Sequence, residues 1–131
     1  MTDAITYEAL DAPIVLLVED EVLIRMAMAD ALRDEGFVVI EATYPKEAVS
    51  AVNGGLRPHV LFTDIRMPGD MDGVALAGVL QAQLPDLHVF IASGHEKGVS
   101  EASRLQNFIV KPYEPTEVAK RIMMELEAAI V

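Results

Sequence analysis

Short apolar runs alternate with longer stretches of helical periodicity along the whole chain. The apolar runs are rich in β-branched and aromatic side chains, which is typical of buried strands. We expect strands at IVLLV (14–18), FVVIE (37–41), HVLFT (59–63), LHVFIA (87–92) and NFIV (107–110). The stretches between and after them predict helices that end near Glu35, span Pro45 to Asn53, span Gly73 to Gln83, span 96–105, and run from Pro115 to the C-terminus.

Three of these helices differ in how strongly the sequence supports them. The first shows helical spacing at Ile24, Ala27, Met28 and Ala31. The last shows a clear apolar face at Val118, Ile122, Leu126 and Ile130, which predicts burial against a sheet. The segment 96–105 contains a glycine and few apolar anchors, so it predicts a weak or shortened helix.

Alternating strands and helices predict a parallel sheet with right-handed crossovers. Most of the strands are nearly continuous apolar runs, as expected when helices cover both faces of the sheet. We therefore expect the α/β class, with a single doubly wound (βα)5 parallel sheet in residues 13–131. Residues 1–12 are expected to form a flexible N-terminal extension. Ligands of such open sheets bind beyond the carboxyl ends of the strands, so the residues there are the candidates for function.

Composition and charge narrow the classes of function. The chain has 131 residues and 52% of them are hydrophobic, which suits one domain with a core of ordinary size. It has no cysteine, which excludes disulfides, thiolate metal sites and a cysteine nucleophile. The formal net charge of −11 argues against a nucleic-acid partner and is compatible with a cation or a basic protein. The apolar runs are too short to cross a bilayer and the N-terminus lacks the start of a secretory signal, so we expect a cytoplasmic protein without a membrane partner.

Polar side chains follow four of the five predicted strands. Glu19 and Asp20 follow the first strand, Asp64 the third, Ser93 the fourth and Lys111 the fifth. Because the carboxyl ends of parallel strands meet at one edge, we expect three carboxylates, a hydroxyl and an ammonium to gather there. Like charges held close together cost energy unless something positive lies among them. The cluster therefore predicts a bound cation.

This set of groups suits phosphoryl transfer with Mg²⁺. The ion prefers oxygen ligands and usually keeps several waters beside one or two carboxylates. A remaining carboxylate can act as a nucleophile toward phosphorus. Mg²⁺, Lys111 and the hydroxyl of Ser93 can each neutralise or bind one equatorial oxygen of the transferred group.

Each residue also has an ordinary explanation when it is taken alone. Asp20 suits a helix cap, Asp64 and Ser93 suit turns, and Lys111 suits a solvated surface position. Their joint placement at the ends of parallel strands favours the site. The scattered histidines lack the spacing of a metal site, and the methionines are more typical of core or loop packing.

Four motifs contain the residues at the strand ends: LLVEDE (16–21), TDIRMPGDMDG (63–73), ASG (92–94) and VKP (110–112). Together they resemble the motifs of the response-regulator receiver domain of two-component signalling, from about residue 13 to 131. The resemblance implies the flavodoxin-like strand order 2-1-3-4-5. It also implies that Asp64 is the phosphoacceptor and that Lys111 pairs with the phosphoryl group, with a cis bond between Lys111 and Pro112.

The resemblance further implies the metal ligands and the switch residues. Asp20 matches a Mg²⁺ ligand, Glu19 a residue that acts through water, and the backbone carbonyl of Arg66 the third protein ligand beside Asp64. Ser93 matches the switch hydroxyl and Phe108 the aromatic rotamer switch. The chain departs from the usual pattern in two places: the loop between Pro68 and Met71 is one residue longer, and the aromatic is phenylalanine rather than the frequent tyrosine.

We expect a receiver that takes a phosphoryl group from a sensor histidine kinase or phosphotransfer protein onto Asp64. Phosphorylation would switch a surface that binds a downstream protein, with at most self-phosphorylation and self-dephosphorylation as enzymatic activity. The domain either stands alone or belongs to a larger regulator or hybrid kinase.

Two alternatives remain: a pseudo-receiver that binds proteins without phosphorylation, and an enzyme or flavin carrier on the same architecture. The EDE sequence would repel a flavin phosphate, and Arg66 stands where a haloacid-type phosphatase needs a second aspartate. The chain also lacks the GxxxxGK motif of a nucleotide-binding loop.

Overall fold

The computed structural model describes residues 12–94 and 107–130, except for the side chain of Ile130. The described strands are β1 (Ile14–Val18), β2 (Val38–Ala42), β3 (Val60–Asp64), β4 (His88–Ser93) and β5 (Asn107–Val110). The described helices are α1 (Val22–Asp34), α2 (Pro45–Asn53), α3 (Gly73–Gln83) and α4 (Pro115–Ile130). The helix predicted at 96–105 and residues 1–11 of the predicted extension lie outside the described residues.

The strands form one parallel sheet in the order β2-β1-β3-β4-β5. Leu17 of β1 lies opposite Glu41 of β2 on one side and opposite Phe62 of β3 on the other. This arrangement confirms the predicted α/β class, the doubly wound parallel sheet and the strand order. The chain reverses its direction of winding between β1 and β3, so their carboxyl ends flank the crevice where such sheets bind ligands.

Two apolar layers, one on each face of the sheet, form the core. Alternate residues of β1 point to opposite faces, so Val15 and Leu17 join one layer while Leu16 and Val18 join the other. The first layer contains residues of α1 and α4, and the second contains residues of α2 and α3. None of the described helices combines the length and the apolar character needed to cross a bilayer.

Two helices differ in how well their buried faces match the sequence pattern. Of the predicted face of α4, Val118, Ile122 and Leu126 are buried. In α1 the buried residues are Met28, Ala29, Ala31 and Leu32, whereas Ala27, which we expected on this face, is exposed. Alanine is small and favours a helix whether it is buried or exposed, so its position in the sequence does not indicate which face of the helix is buried.

Three strands, β2, β3 and β4, begin and end one residue later than the apolar runs predict. Asp64 is therefore the last residue of β3, and Ser93 is the last residue of β4. The reason is that backbone pairing continues past the apolar side chains: Asp64 lies opposite Ala92, and Ser93 lies opposite Val110. The polar candidates are thus held by the sheet itself rather than by the loops that follow.

Candidate functional site

Residues 19–21 form the turn after β1, which we call the acidic turn. Three groups of Glu19 form hydrogen bonds that hold this turn. The N–H of Glu19 donates to the carbonyl of Ala42 at 3.1 Å, which continues the pairing of β1 with β2. The carboxylate of Glu19 accepts a hydrogen bond from the N–H of Glu21 at 3.0 Å. The backbone carbonyl of Glu19 accepts a hydrogen bond from the Arg25 guanidinium at 2.8 Å. These bonds fix the backbone that carries Asp20.

The carboxylates of Glu19, Asp20 and Asp64 meet at this turn and form what we call the acidic cluster. One oxygen from each lies within 4.8 Å of the other two. Glu19 and Asp64 are buried, and Asp20 is half-buried. Oxygen donors of this kind and number are those that a hard divalent cation such as Mg²⁺ binds.

Asp64 lies between the acidic turn and Lys111. The Lys111 ammonium is 2.7 Å from Asp64 Oδ1, yet this buried oxygen has no hydrogen-bond partner of acceptable geometry among the described residues. The contact is therefore best regarded as an ion pair. Buried carboxylate oxygens are ordinarily satisfied by hydrogen bonds, so this oxygen is a candidate ligand atom for a cation. The residues present fit a Mg²⁺ ion.

Burial also raises the pKa of Glu19, one member of the acidic cluster. The pKa of Glu19 is raised to about 7, mainly because the carboxyl group is buried; the hydrogen bond from Glu21 lowers it and the charge of Asp64 raises it. Burial therefore disfavours the charged form of the Glu19 carboxyl group. A cation bound among the carboxylates would favour the loss of that proton.

The ends of β4 and β5 bring Ser93 and Lys111 to the same edge. Ser93 is buried and lies one residue beyond Ala92, which is opposite Asp64 in the neighbouring strand. The N–H of Lys111 donates to the carbonyl of Ser93 at 2.9 Å, so sheet pairing continues up to the lysine. The bond between Lys111 and Pro112 is cis, as the resemblance implies.

The loop after Asp64 returns to the strand and packs α3 directly against it. The N–H of Ile65 donates to the carbonyl of Ala92 at 3.0 Å, and the N–H of Gly73 donates to the carbonyl of Ile65 at 2.8 Å. A Cβ on Gly73 would overlap the carbonyl oxygen of Asp64 and would lie 2.9 Å from the Cα of Ile65. Only glycine therefore allows α3 to begin this close to the candidate phosphoacceptor.

Arg66 follows β3 and Phe108 lies in β5. The metal-ligand role of the Arg66 carbonyl and the switch role of Phe108 stay predictions. The side chain of Arg66 is exposed just beyond the end of β3. Phe108 lies in β5 opposite Ile91, is half-buried, and packs against the core layer that contains α2 and α3. In the longer loop, Gly69 adopts a φ of 109°, a left-handed value that favours glycine.

Sequence reasoning missed three residues that shape the site: Arg25, Gly73 and Tyr113. Tyr113 follows the cis proline, and its ring packs against Phe62 of β3 with centroids 5.7 Å apart. Burial and the charges of Glu19 and Asp64 raise the pKa of Tyr113, so its hydroxyl stays neutral. The available signals were the aromatic residue directly after Lys111-Pro112 and the arginine one turn into the first helix.

Comparisons with known proteins agree with this geometry. The family model of the response regulator receiver domain matches residues 15–123. The chain is 34% identical over 106 residues to the C4-dicarboxylate transport transcriptional regulatory protein DctD of Rhizobium meliloti, covering 78% of this chain and 23% of that protein. It is 31% identical over 118 residues to the sensor kinase CckA of Brucella abortus, covering 86% of this chain and 12% of that protein.

A solved structure shows the same relationship over most of the chain. The response regulator receiver protein from Sinorhizobium medicae superposes with a TM-score of 0.81 at 25% identity, covering 91% of this chain and 98% of that one. The chain spans only 22 to 26% of the length of the first curated relatives that it matches. The match to the family model covers most of the sequence, and the chain belongs to the response regulator receiver domain family.

Proposed function

We propose that this receiver domain accepts a phosphoryl group onto Asp64 from the phosphohistidine of a sensor histidine kinase or phosphotransfer protein. The observation that carries the proposal is the environment of Asp64: a buried carboxylate, paired with Lys111, whose Oδ1 has no hydrogen-bond partner among the described residues. A buried aspartate with a purely structural role is ordinarily satisfied by hydrogen bonds. Asp64 is held by its ion pair with Lys111, while its Oδ1 accepts no hydrogen bond from the described residues, and this suits a carboxylate that acts as a nucleophile.

The acidic cluster and a backbone carbonyl would hold Mg²⁺. Asp20 and Asp64 would be direct ligands, Glu19 would act through water, and the carbonyl of Arg66 would be the third protein ligand. When bound, the ion neutralises negative charge on the phosphoryl oxygens during transfer. The burial that raises the pKa of Glu19 supports the assignment, because a cation would stabilise the charged carboxylate that burial disfavours.

The side chains of the domain orient and neutralise the phosphoryl group. A carboxylate oxygen of Asp64 forms a bond to phosphorus while the bond from phosphorus to the donor imidazole nitrogen breaks, and the electron pair leaves with that nitrogen. Lys111 pairs with one phosphoryl oxygen and the hydroxyl of Ser93 donates to another. Water attack on the aspartyl phosphate later releases inorganic phosphate and restores Asp64.

Phosphorylation would change a protein-binding surface near β5. Movement of Ser93 toward the phosphoryl group would leave space for Phe108, which is half-buried on the neighbouring strand. Val110 of the same strand is 70% exposed, so a change in β5 reaches the surface directly. The downstream target is a protein, and a kinase donor implies that the domain acts in the cytoplasm.

The relatives indicate the kinds of protein in which such a domain occurs. DctD is a transcriptional regulatory protein and CckA is a sensor kinase, and both contain a region similar to this chain. The domain thus acts either alone or as part of a larger regulator or hybrid kinase.

Phosphorylation of the purified chain tests the proposal. Incubation with a small acyl phosphate donor and Mg²⁺, and separately with a phosphorylated histidine kinase, should add one phosphoryl group by mass spectrometry. Asp64→Asn should abolish the addition, whereas Asp70→Asn, an exposed aspartate of the following loop, should keep it. Labelling that survives in Asp64→Asn would exclude Asp64 as the acceptor.

The same experiment distinguishes the pseudo-receiver alternative. A folded wild-type chain that gains no phosphoryl group from either donor in the presence of Mg²⁺ would act as a phosphorylation-independent binding module. Labelling that appears and then decays without added phosphatase would instead show the self-dephosphorylation expected of a receiver.

A further inference from the structure

The side chain of Arg25 connects the acidic turn to the edge strand β2. Its Nη1 donates to the carbonyl of Glu19 at 2.8 Å, and its Nε donates to the carboxylate of Glu41 at 3.3 Å. The Arg25 side chain is 16% exposed; its contact to Glu19 is partly buried, whereas its contact to Glu41 is exposed to water. Glu41 lies opposite Leu17 in the neighbouring strand, so Arg25 reaches from α1 across the end of β1.

The carbonyl that Arg25 holds belongs to the peptide group between Glu19 and Asp20. The orientation of this peptide sets the direction in which the Asp20 side chain leaves the backbone. Within residues 12–94 and 107–130, no hydrogen bond or ion pair holds the Asp20 carboxylate itself. Its place in the acidic cluster therefore depends on the backbone that Arg25 fixes.

We infer that Arg25 is a positioning residue for the cation site, which aligns the peptide between Glu19 and Asp20 so that Asp20 faces Asp64. The inference rests on the proposed function, because that proposal supplies the ion. Groups that hold metal ligands from behind commonly contribute about tenfold to a hundredfold in metal affinity. Glu41 anchors the guanidinium at its other side and so belongs to the same device.

Charge alone predicts the opposite effect of removing Arg25. A guanidinium close to the acidic cluster repels a divalent cation, so its neutralisation would strengthen Mg²⁺ binding if electrostatics were the only contribution. Loss of the positioning hydrogen bond would weaken binding. The substitution Arg25→Gln therefore separates the two explanations by the sign of the change in affinity.

Arg33 provides a matched control on the same helix. It donates to the other carboxylate oxygen of Glu41 at 3.1 Å and to the carbonyl of Val39 at 3.2 Å. Its hydrogen bonds and ion pairs do not include the acidic turn. Arg33→Gln removes the same charge and a contact to the same glutamate, but it leaves the peptide after Glu19 in place.

Isothermal titration with Mg²⁺ on the whole chain tests the inference, and urea unfolding in EDTA reports the stability of each variant. We expect Arg25→Gln to weaken Mg²⁺ binding about tenfold, whereas Arg33→Gln stays within about twofold of the wild type. Arg25→Lys should show an intermediate loss, because a single ammonium lacks the fork that reaches both partners. An affinity in Arg25→Gln equal to or above that of Arg33→Gln would overturn the inference.

Amide hydrogen exchange of the metal-free protein gives a readout that does not require the ion. The N–H of Glu21 is bonded to the carboxylate of Glu19 inside the turn that Arg25 holds. It should exchange faster in Arg25→Gln but not in Arg33→Gln. If the wild type does not bind Mg²⁺, the proposed function fails. Exchange at this amide still tests the positioning role: faster exchange in Arg25→Gln supports it, and unchanged exchange overturns it.

Discussion

Two glycine-to-alanine substitutions in α3 should change stability in opposite directions. Gly73 is the first residue of the helix and is buried, whereas Gly78 lies exposed in its middle. Alanine favours a helix interior over glycine by up to about 1 kcal/mol. Helix propensity therefore predicts a gain at Gly78 and no loss at Gly73, so a loss at Gly73 would have to come from packing.

The structure gives the size of the packing penalty at Gly73. An added Cβ would overlap the carbonyl oxygen of Asp64 and would lie 2.9 Å from the Cα of Ile65. Non-bonded carbon atoms are ordinarily about 3.5 Å apart or more, so α3 would have to move away from β3 by at least about 0.6 Å, and by more to clear the carbonyl oxygen. Overpacking of this kind costs roughly 1–3 kcal/mol. A Cβ on Gly78 meets no heavy atom within 4 Å, so the gain in propensity remains there.

Urea unfolding measures both effects on the same scale. We expect Gly78→Ala to raise the free energy of unfolding by roughly 0.5–1 kcal/mol. We expect Gly73→Ala to lower it by roughly 1–2 kcal/mol, with the two midpoints on opposite sides of the wild type. Because the clash falls on the backbone of Asp64, Gly73→Ala should also slow phosphorylation, whereas Gly78→Ala should not. Equal stability and equal labelling rates in the two variants would refute the close packing of α3 on the candidate phosphoacceptor.

Two further predictions concern the acidic cluster and the cap of α3. The folded-state pKa of Glu19 is raised to about 7, so in EDTA its contribution to stability is fully present below pH 4.5 and is lost as the pH rises through 7. Between pH 5 and pH 8, the free energy of unfolding should therefore fall by about 2 kcal/mol more in the wild type than in Glu19→Gln, as urea unfolding would measure. Parallel pH profiles of the wild type and the variant would contradict the raised pKa. Asp72 accepts a hydrogen bond from the N–H of Ala75 at 2.8 Å, so Asp72→Ala should lower the free energy of unfolding by about 1 kcal/mol. Asp70→Ala in the same exposed loop should change it by less than about 0.5 kcal/mol, and equal losses in the two variants would argue against the cap.

The sequence predicted the sheet well because burial on both faces leaves a strong signal. Strands covered on both sides by helices must be apolar at nearly every position, so their centres are visible as short runs of valine, leucine and isoleucine. Strand ends are less visible, because a parallel ladder pairs backbone groups whatever side chain follows. Asp64 and Ser93 therefore belong to β3 and β4, although their polarity suggested the loops.

The grouping of the acidic residues could be inferred from topology alone, whereas the residues that support them could not. Parallel strands bring their carboxyl ends to one edge, so the two segments that carry the acidic residues could be assigned to one site without coordinates. The role of Arg25 depends on a contact to Glu41, sixteen residues away in sequence, and on a backbone carbonyl. Neither partner has a sequence signature, because any residue has a carbonyl and most surface glutamates are unpaired.

The site combines a rigid backbone with unfavourable side-chain electrostatics. Hydrogen bonds in the sheet direction continue past β1 to Glu19, past β3 to Ile65 and past β5 to Lys111, so the turns that carry the charged groups are fixed like the strands. The side chains they carry include a carboxyl group with a raised pKa and a buried oxygen that accepts no hydrogen bond from the residues that the structure describes. A fold that needed only stability would have relaxed these groups toward solvent. Under the proposed function, a cation and a phosphoryl group would relieve this unfavourable energy, and the state of the domain would then depend on both.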